Sequence, residues 1–148
     1  SWLTQRGLKT LPLRMKQICE TTRNLAIFLQ DQPNIRRVYF PLLSQHSSYD
    51  VANRLYSGGT GGMITVELAA EGTAAITQFM RAAPELPFSP TLADARTTLS
   101  HPASTSHRYM TAVERKSAGI LPEMMRISIG LESLEQLQHE FAKGLAAI

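Results

Sequence analysis

Cysteine is almost missing from this chain: Cys19 stands alone among 148 residues. One thiol cannot close an internal disulfide or build a thiolate metal cluster, and a reducing, cytoplasmic setting is expected. Long apolar runs are missing as well. None approaches the roughly 18 to 20 consecutive residues of a membrane span, and no charged segment leading into an apolar stretch opens the chain as an export signal would. No membrane partner is therefore expected. Charged residues make up only 18%, with a net charge of +3. Lys and Arg are scattered, with no basic run interleaved with aromatics, which argues against nucleic acid. His101, His107 and His139 share no ligand spacing, and no cysteine or carboxylate completes a set, so no metal is expected.

What remains is an ordinary globular composition, 43% hydrophobic, at a length that buries one core. There is no internal repeat and no low-complexity tract. Thr10 is placed to cap a first helix, with Pro12 in its opening turn, where a missing N–H costs nothing. Met15, Ile18, Cys19, Thr22, Leu25, Ala26 and Leu29 then share one helical face up to about Gln30. Residues 37–40 read as a short strand stopped by Pro41, and 47–56 as a short helix. Met63 to Leu68 alternates and is β-branched, so it reads as a strand. A helix over 71–81 follows, with Ala74, Ala75, Phe79 and Met80 as its apolar contacts. After a proline-punctuated connector, 97–100 reads as a strand and 111–117 as weakly helical. In 125–130 the alternation puts Arg126 and Ser128 on one face and Met125, Ile127 and Ile129 on the other. Ser133 and Gln136 form a capping-box pattern before a last helix that buries Leu134, Leu137, Phe141 and Leu145. The expected class is α+β, with helices on one face of a small, mainly antiparallel sheet.

Few residues point to chemistry by themselves. The glycine run 58–62 precedes a strand, whereas a phosphate cradle opens a helix; turn chemistry is the better reading. Ser104, Thr105, Ser106 and His107 have no orienting carboxylate or nucleophile elbow, so a hydroxyl-rich loop bonding its own backbone is expected. Arg126 differs. A guanidinium inside a β-branched strand is costly unless it meets an anion or water, and its fork suits a carboxylate. An internal salt bridge, recognition of a ligand, and the exposed face of an edge strand all remain open for it.

Five stretches taken together carry a resemblance. Arg6 to Met15 resembles the opening of the carboxy-terminal domain in the Cys/Met-metabolism (trans-sulfuration) family of pyridoxal-phosphate (PLP) enzymes. Val38 to Leu42 is similar to that family's V-Y-Y-P-G-L turn, and Ser57 to Ile64 to its G-x-G-G-M-I/L-S-F strand. His101 to His107 resembles H-P-A-S-T/M-T-H, and Arg126 to Glu132 resembles I-R-L-S-V-G-I-E. The five occur in family order, and the ordered set is specific where any single one is not.

The resemblance implies one carboxy-terminal domain over 1–148 of a fold-type I enzyme, with the large PLP-binding domain absent from this chain. It implies that the cofactor lysine lies outside the chain, since Lys9, Lys16, Lys116 and Lys143 match no cofactor position. No catalytic, cofactor-binding or metal residue is then expected here, and the chain alone is expected to be inactive. Arg126 falls at the position that grips the substrate's α-carboxylate. Thr91 stands where the family has a substrate-contacting serine, and Ala93 takes the place of a glycine. Asp94 and Ala95 lean towards the methionine γ-lyase and acyl-homoserine sulfhydrylase branches, while Pro90 replaces an acid found in some cystathionine enzymes. The implied activity is elimination or replacement on a sulfur amino acid or activated homoserine, in a cytoplasmic homotetramer. The abrupt start at Ser1 fits a piece of a longer protein. The alternative is a cofactor-free α+β binding or assembly module descended from such enzymes.

Overall fold

The computed structural model describes residues 1–148. Its first helix is one that the sequence reading did not separate: α1 runs Trp2–Lys9, and α2 runs Leu11–Gln30 directly after it. Thr10 stands between them and does not cap through its side chain. Its hydroxyl donates back to the Gly7 carbonyl at 3.3 Å, where Arg14 Nη2 also donates at 2.7 Å, so the second helix starts on the carbonyl end of the first. The buried face of α2 is Ile18, Thr21, Thr22, Leu25, Ala26 and Leu29. Met15 and Cys19, expected on that face, are respectively exposed and half-buried, with Cys19 against Gly59.

Four strands form one antiparallel sheet in the order β1-β2-β4-β3: β1 Ile35–Tyr39, β2 Met63–Leu68, β3 Thr98–Ser100 and β4 Met124–Ser128. Between them lie α3 Tyr49–Leu55, α4 Ala74–Ala82 and α5 Ala112–Ser117, and α6 Leu134–Leu145 ends the chain. The expected class is the one observed, with α2, α4 and α6 against one sheet face. Ile64, Val66, Leu68, Leu99, Met125 and Ile127 point into that layer and join Phe79, Leu137 and Phe141 in a single core of 22 residues. Along α4 the buried positions are Ala75, Ile76 and Phe79; Ala74 is exposed and Ile76 belongs to the core instead. On α6, Leu134 is only partly buried, whereas Leu137, Phe141 and Leu145 are fully inside.

Two caps changed places. Ser133 Oγ accepts from the Gln136 N–H at 3.2 Å, half of the expected reciprocal box. The complete box forms at α5, where Thr111 and Glu114 bond each other's backbone N–H groups. That segment therefore starts with both a side-chain cap and a first-turn acid, which stabilises a short helix carrying no buried residue.

Candidate substrate-carboxylate site

The second face of the sheet is polar. Antiparallel register lines up Tyr39, Thr65, Arg126 and Ser100 in one row across all four strands. The next row is Met63, Ser128 and Thr98, and on the other side stand Arg37, Glu67 and Met124. Directly opposed residues of this kind hold their Cβ atoms about 4.5–5.5 Å apart, so Arg126 lies among hydroxyls. β4 is an interior strand, paired on both sides, which rules out the edge-strand reading of Arg126.

Arg126 is half-buried and makes no hydrogen bond or ion pair within the chain, and the acids of this end of the fold are engaged elsewhere. Glu67 accepts from Arg36 Nη1 at 3.2 Å and from the Tyr39 hydroxyl at 3.0 Å. Glu123 lies 3.6 Å from the same Arg36 nitrogen. Glu132 accepts both the Thr97 N–H, at 2.7 Å, and the Thr97 hydroxyl, at 2.8 Å. The internal salt bridge left open for Arg126 is therefore not formed. Burial first, then the hydrogen bond and charge of Glu67, hold the Tyr39 phenol above its ordinary value, so this end of the polar row is a neutral donor locked onto a carboxylate.

A loop, residues 91–96, arches over the row that contains Ser128. All six of its residues are exposed, so hydrogen bonds rather than apolar burial fix its path. The Thr91 carbonyl accepts from Thr98 Oγ1 at 3.2 Å, and the Ala93 N–H donates to Ser128 Oγ at 3.3 Å. Ala93 has φ 59°, the left-handed conformation that a glycine adopts without penalty. At its far end the loop meets β4 through Leu131 N–H to Ala95 O at 2.9 Å and Gly130 N–H to Thr97 Oγ1 at 2.9 Å. Thr91 and Arg126, far apart in sequence, are thereby attached to neighbouring rows of one sheet face.

A family model for Cys/Met metabolism PLP-dependent enzymes matches residues 1–146. The chain belongs to that family. Over 148 residues it is 36% identical to the O-succinylhomoserine sulfhydrylase of Pseudomonas aeruginosa, covering 100% of this chain and 36% of that protein. It is 34% identical over 147 residues to a cystathionine beta-lyase of Bacillus subtilis, covering 99% of this chain and 37% of the relative. Among solved structures, a cystathionine gamma synthase from Xanthomonas oryzae in complex with cystathionine superposes with a TM-score of 0.88 at 35% identity, over 98% of this chain and 37% of that one. The chain thus spans little more than a third of the length of the trans-sulfuration relatives it matches.

Within this chain the residues do not by themselves fit PLP. The polar row holds no lysine; Lys143 sits on α6 against Glu140 at 2.8 Å, and Lys16 lies on α2. The glycine run turns into β2, with Gly59 and Gly61 at positive φ, and opens no helix of its own. The hydroxyls of 104–107 behave as loop residues: Thr105 Oγ1 donates to the His101 carbonyl at 2.8 Å. His101, placed in a loop by the sequence, is buried. Its Nε2 lies 2.7 Å from the Pro122 carbonyl and its Nδ1 2.8 Å from Ser104 Oγ. Since a carbonyl only accepts, Nε2 donates to it, and the two contacts fasten this loop to the approach to β4. Missed by the sequence reading were the Glu132 clamp on Thr97, the Ser128 bond to Ala93 and the Tyr39–Glu67 pair. None had a signal in the local pattern, since each joins residues about 30 or more apart in sequence.

Proposed function

We propose that this chain is the carboxy-terminal, substrate-carboxylate-binding domain of a PLP-dependent enzyme that eliminates or replaces a group on a sulfur amino acid or an activated homoserine. The observation that carries this reading is Arg126: a half-buried guanidinium on an interior strand, among hydroxyls, with no partner in the chain and with Glu67 of the adjacent row already engaged. A charge so placed is stabilised by an anion arriving from outside the domain. A carboxylate held by the two parallel donors of the fork is fixed in direction as well as position, which is what reaction at a neighbouring carbon requires. Thr91 offers a second, hydroxyl contact from the loop above. Assembly with a cofactor-bearing large domain, in a cytoplasmic homotetramer, completes the reading; the family membership supports it.

The test is steady-state kinetics of Arg126→Ala and Arg126→Lys in the full-length enzyme, with the cofactor absorbance as a control for folding. Truncating one partner of a buried charged pair costs about 2–5 kcal/mol, so catalytic efficiency is expected to fall about 30-fold or more. Lysine is expected to restore little, because an ammonium cannot form two parallel bonds. Near-wild-type efficiency in both variants would make Arg126 a structural strand residue and remove the site.

A further inference from the structure

We propose that Glu132 is a positioning residue: through Thr97 it sets the loop that carries Thr91 over the Arg126 face, without touching the substrate. This deepens the reading above and rests on it. The loop 91–96 has no buried side chain, so its geometry is only as good as its anchors. Its near end is held by single bonds at 3.2 and 3.3 Å, Thr98 to the Thr91 carbonyl and Ala93 to Ser128. Mid-loop ties run from the Arg96 N–H to Asp94 Oδ1 and from Arg96 Nη2 to the Glu85 carbonyl, both at 3.1 Å and both exposed. The far end is different. Thr97 is fully buried, and the two oxygens of Glu132 take its N–H and its hydroxyl at 2.7 and 2.8 Å.

The hydroxyl cannot point at a second acceptor while it donates to Glu132. Its oxygen is thereby turned to accept the Gly130 N–H at 2.9 Å. One carboxylate thus orders a relay, Glu132 to Thr97 to Gly130, that joins the end of β4 to the start of β3. Bonds to a charged acceptor are the stronger kind, and these two are the shortest anchors the loop has. Ala93 in its left-handed conformation shows that the loop is held in a shape that its own residues do not favour. Loosening the far anchor frees Thr91 to move relative to Arg126 while both remain attached to the chain.

The experiment uses the full-length enzyme and compares Glu132→Ala, Thr97→Val and Thr97→Ser with the wild type. KM for the amino-acid substrate is expected to rise about tenfold in Thr97→Val, which loses one bond to the carboxylate, and about tenfold or more in Glu132→Ala, which loses both. Turnover is expected to stay within about threefold, and Thr97→Ser, which keeps the hydroxyl, to stay near wild type. In a Thr91→Ala background the Glu132→Ala effect on KM is expected to vanish, because the loop then has nothing to present. Unchanged KM in Glu132→Ala, an equal loss in Thr97→Ser, or full additivity with Thr91→Ala would each overturn the proposal. If Glu132→Ala does not accumulate, the Thr97 pair decides alone. Should Arg126→Ala and Thr91→Ala both behave as wild type, it is the underlying site that fails, and that outcome is distinct from the others.

Discussion

Gly130 is where β4 and the loop end come closest, and adding one methyl group there tests the whole junction. A Cβ at this position would lie 2.5 Å from the Arg96 carbonyl carbon and 2.6 Å from the Thr97 nitrogen, and nearer still to the Ala95 oxygen. All three are backbone atoms, so no side chain can swing aside. Restoring ordinary contact at about 3.5 Å means parting the two segments by about 1 Å. The Gly130 N–H to Thr97 Oγ1 and Leu131 N–H to Ala95 O bonds, both 2.9 Å, cross the same gap and would be lost. Two hydrogen bonds at about 1 kcal/mol each and an overpacking cost of about 1–3 kcal/mol oppose a gain of about 0.4–1 kcal/mol from stiffening the unfolded chain. Gly130→Ala is therefore expected to destabilise the chain by about 2–4.5 kcal/mol. In urea, at a slope of roughly 2 kcal/mol/M, the midpoint falls by about 1–2 M. Gly7→Ala is the control: nothing lies within 4 Å of its Cβ in α1, so helix propensity alone makes it neutral or up to about 1 kcal/mol stabilising. A Gly130→Ala midpoint within experimental error of wild type would refute the close-approach reasoning.

Two further outcomes are expected. The Tyr39 phenol is raised by burial and then by Glu67, so its contribution is fully present below the unfolded value of about 10 and is lost as pH rises through the higher folded value; melts from pH 8 to 11 should show wild type losing more stability above about 10 than Tyr39→Phe does, and parallel curves would count against the pair. Ala93→Gly is expected to gain about 0.5–1 kcal/mol, relief of the left-handed conformation outweighing the added chain entropy, and a lower urea midpoint for the variant would show that φ 59° carries no strain.

How much was legible follows physical lines. The faces of β2 and β4 were readable because a strand alternates strictly and both faces are packed differently, so Arg126 and Ser128 could be set against Ile127 and Ile129 before any fold was known. The core side of α2 was readable at Ile18, Thr22, Leu25, Ala26 and Leu29 from the helical period, but not at Met15 or Cys19, which keep that period without full burial. Nothing marked α1 as a helix separate from α2, since it buries no residue and leaves Trp2, Leu3 and Leu8 exposed. Residues 111–117 read as helical only weakly, because six residues offer too short a period, and the capping-box spacing of Thr111 and Glu114 went unused. The Glu132 clamp was out of reach because its partner is 35 residues away, and only register and loop path bring the two together.

The polar sheet face has its own logic. Two-layer folds usually leave the second sheet face to water, yet Thr98, Ser100 and Ser128 are each no more than 4% exposed and Glu67 is 6% exposed. The loops after β3 and before it cover that face, so its polar groups need partners. Most have them: Ser128 takes the Ala93 N–H, Thr98 donates to the Thr91 carbonyl, and Glu67 takes Arg36 and Tyr39. Arg126, at the middle of its row, is the one charged group on this face with no partner in the chain. A domain selected only for stability would favour an apolar or paired residue at such a position, because an apolar replacement of a buried charge is often neutral or stabilising. Its retention beside a loop held in a left-handed turn is the pattern of a site that gives up local stability to keep one cation available. The same reasoning separates the two roles proposed on this face: Arg126 to meet an anion, and Glu132 to keep the loop in place above it.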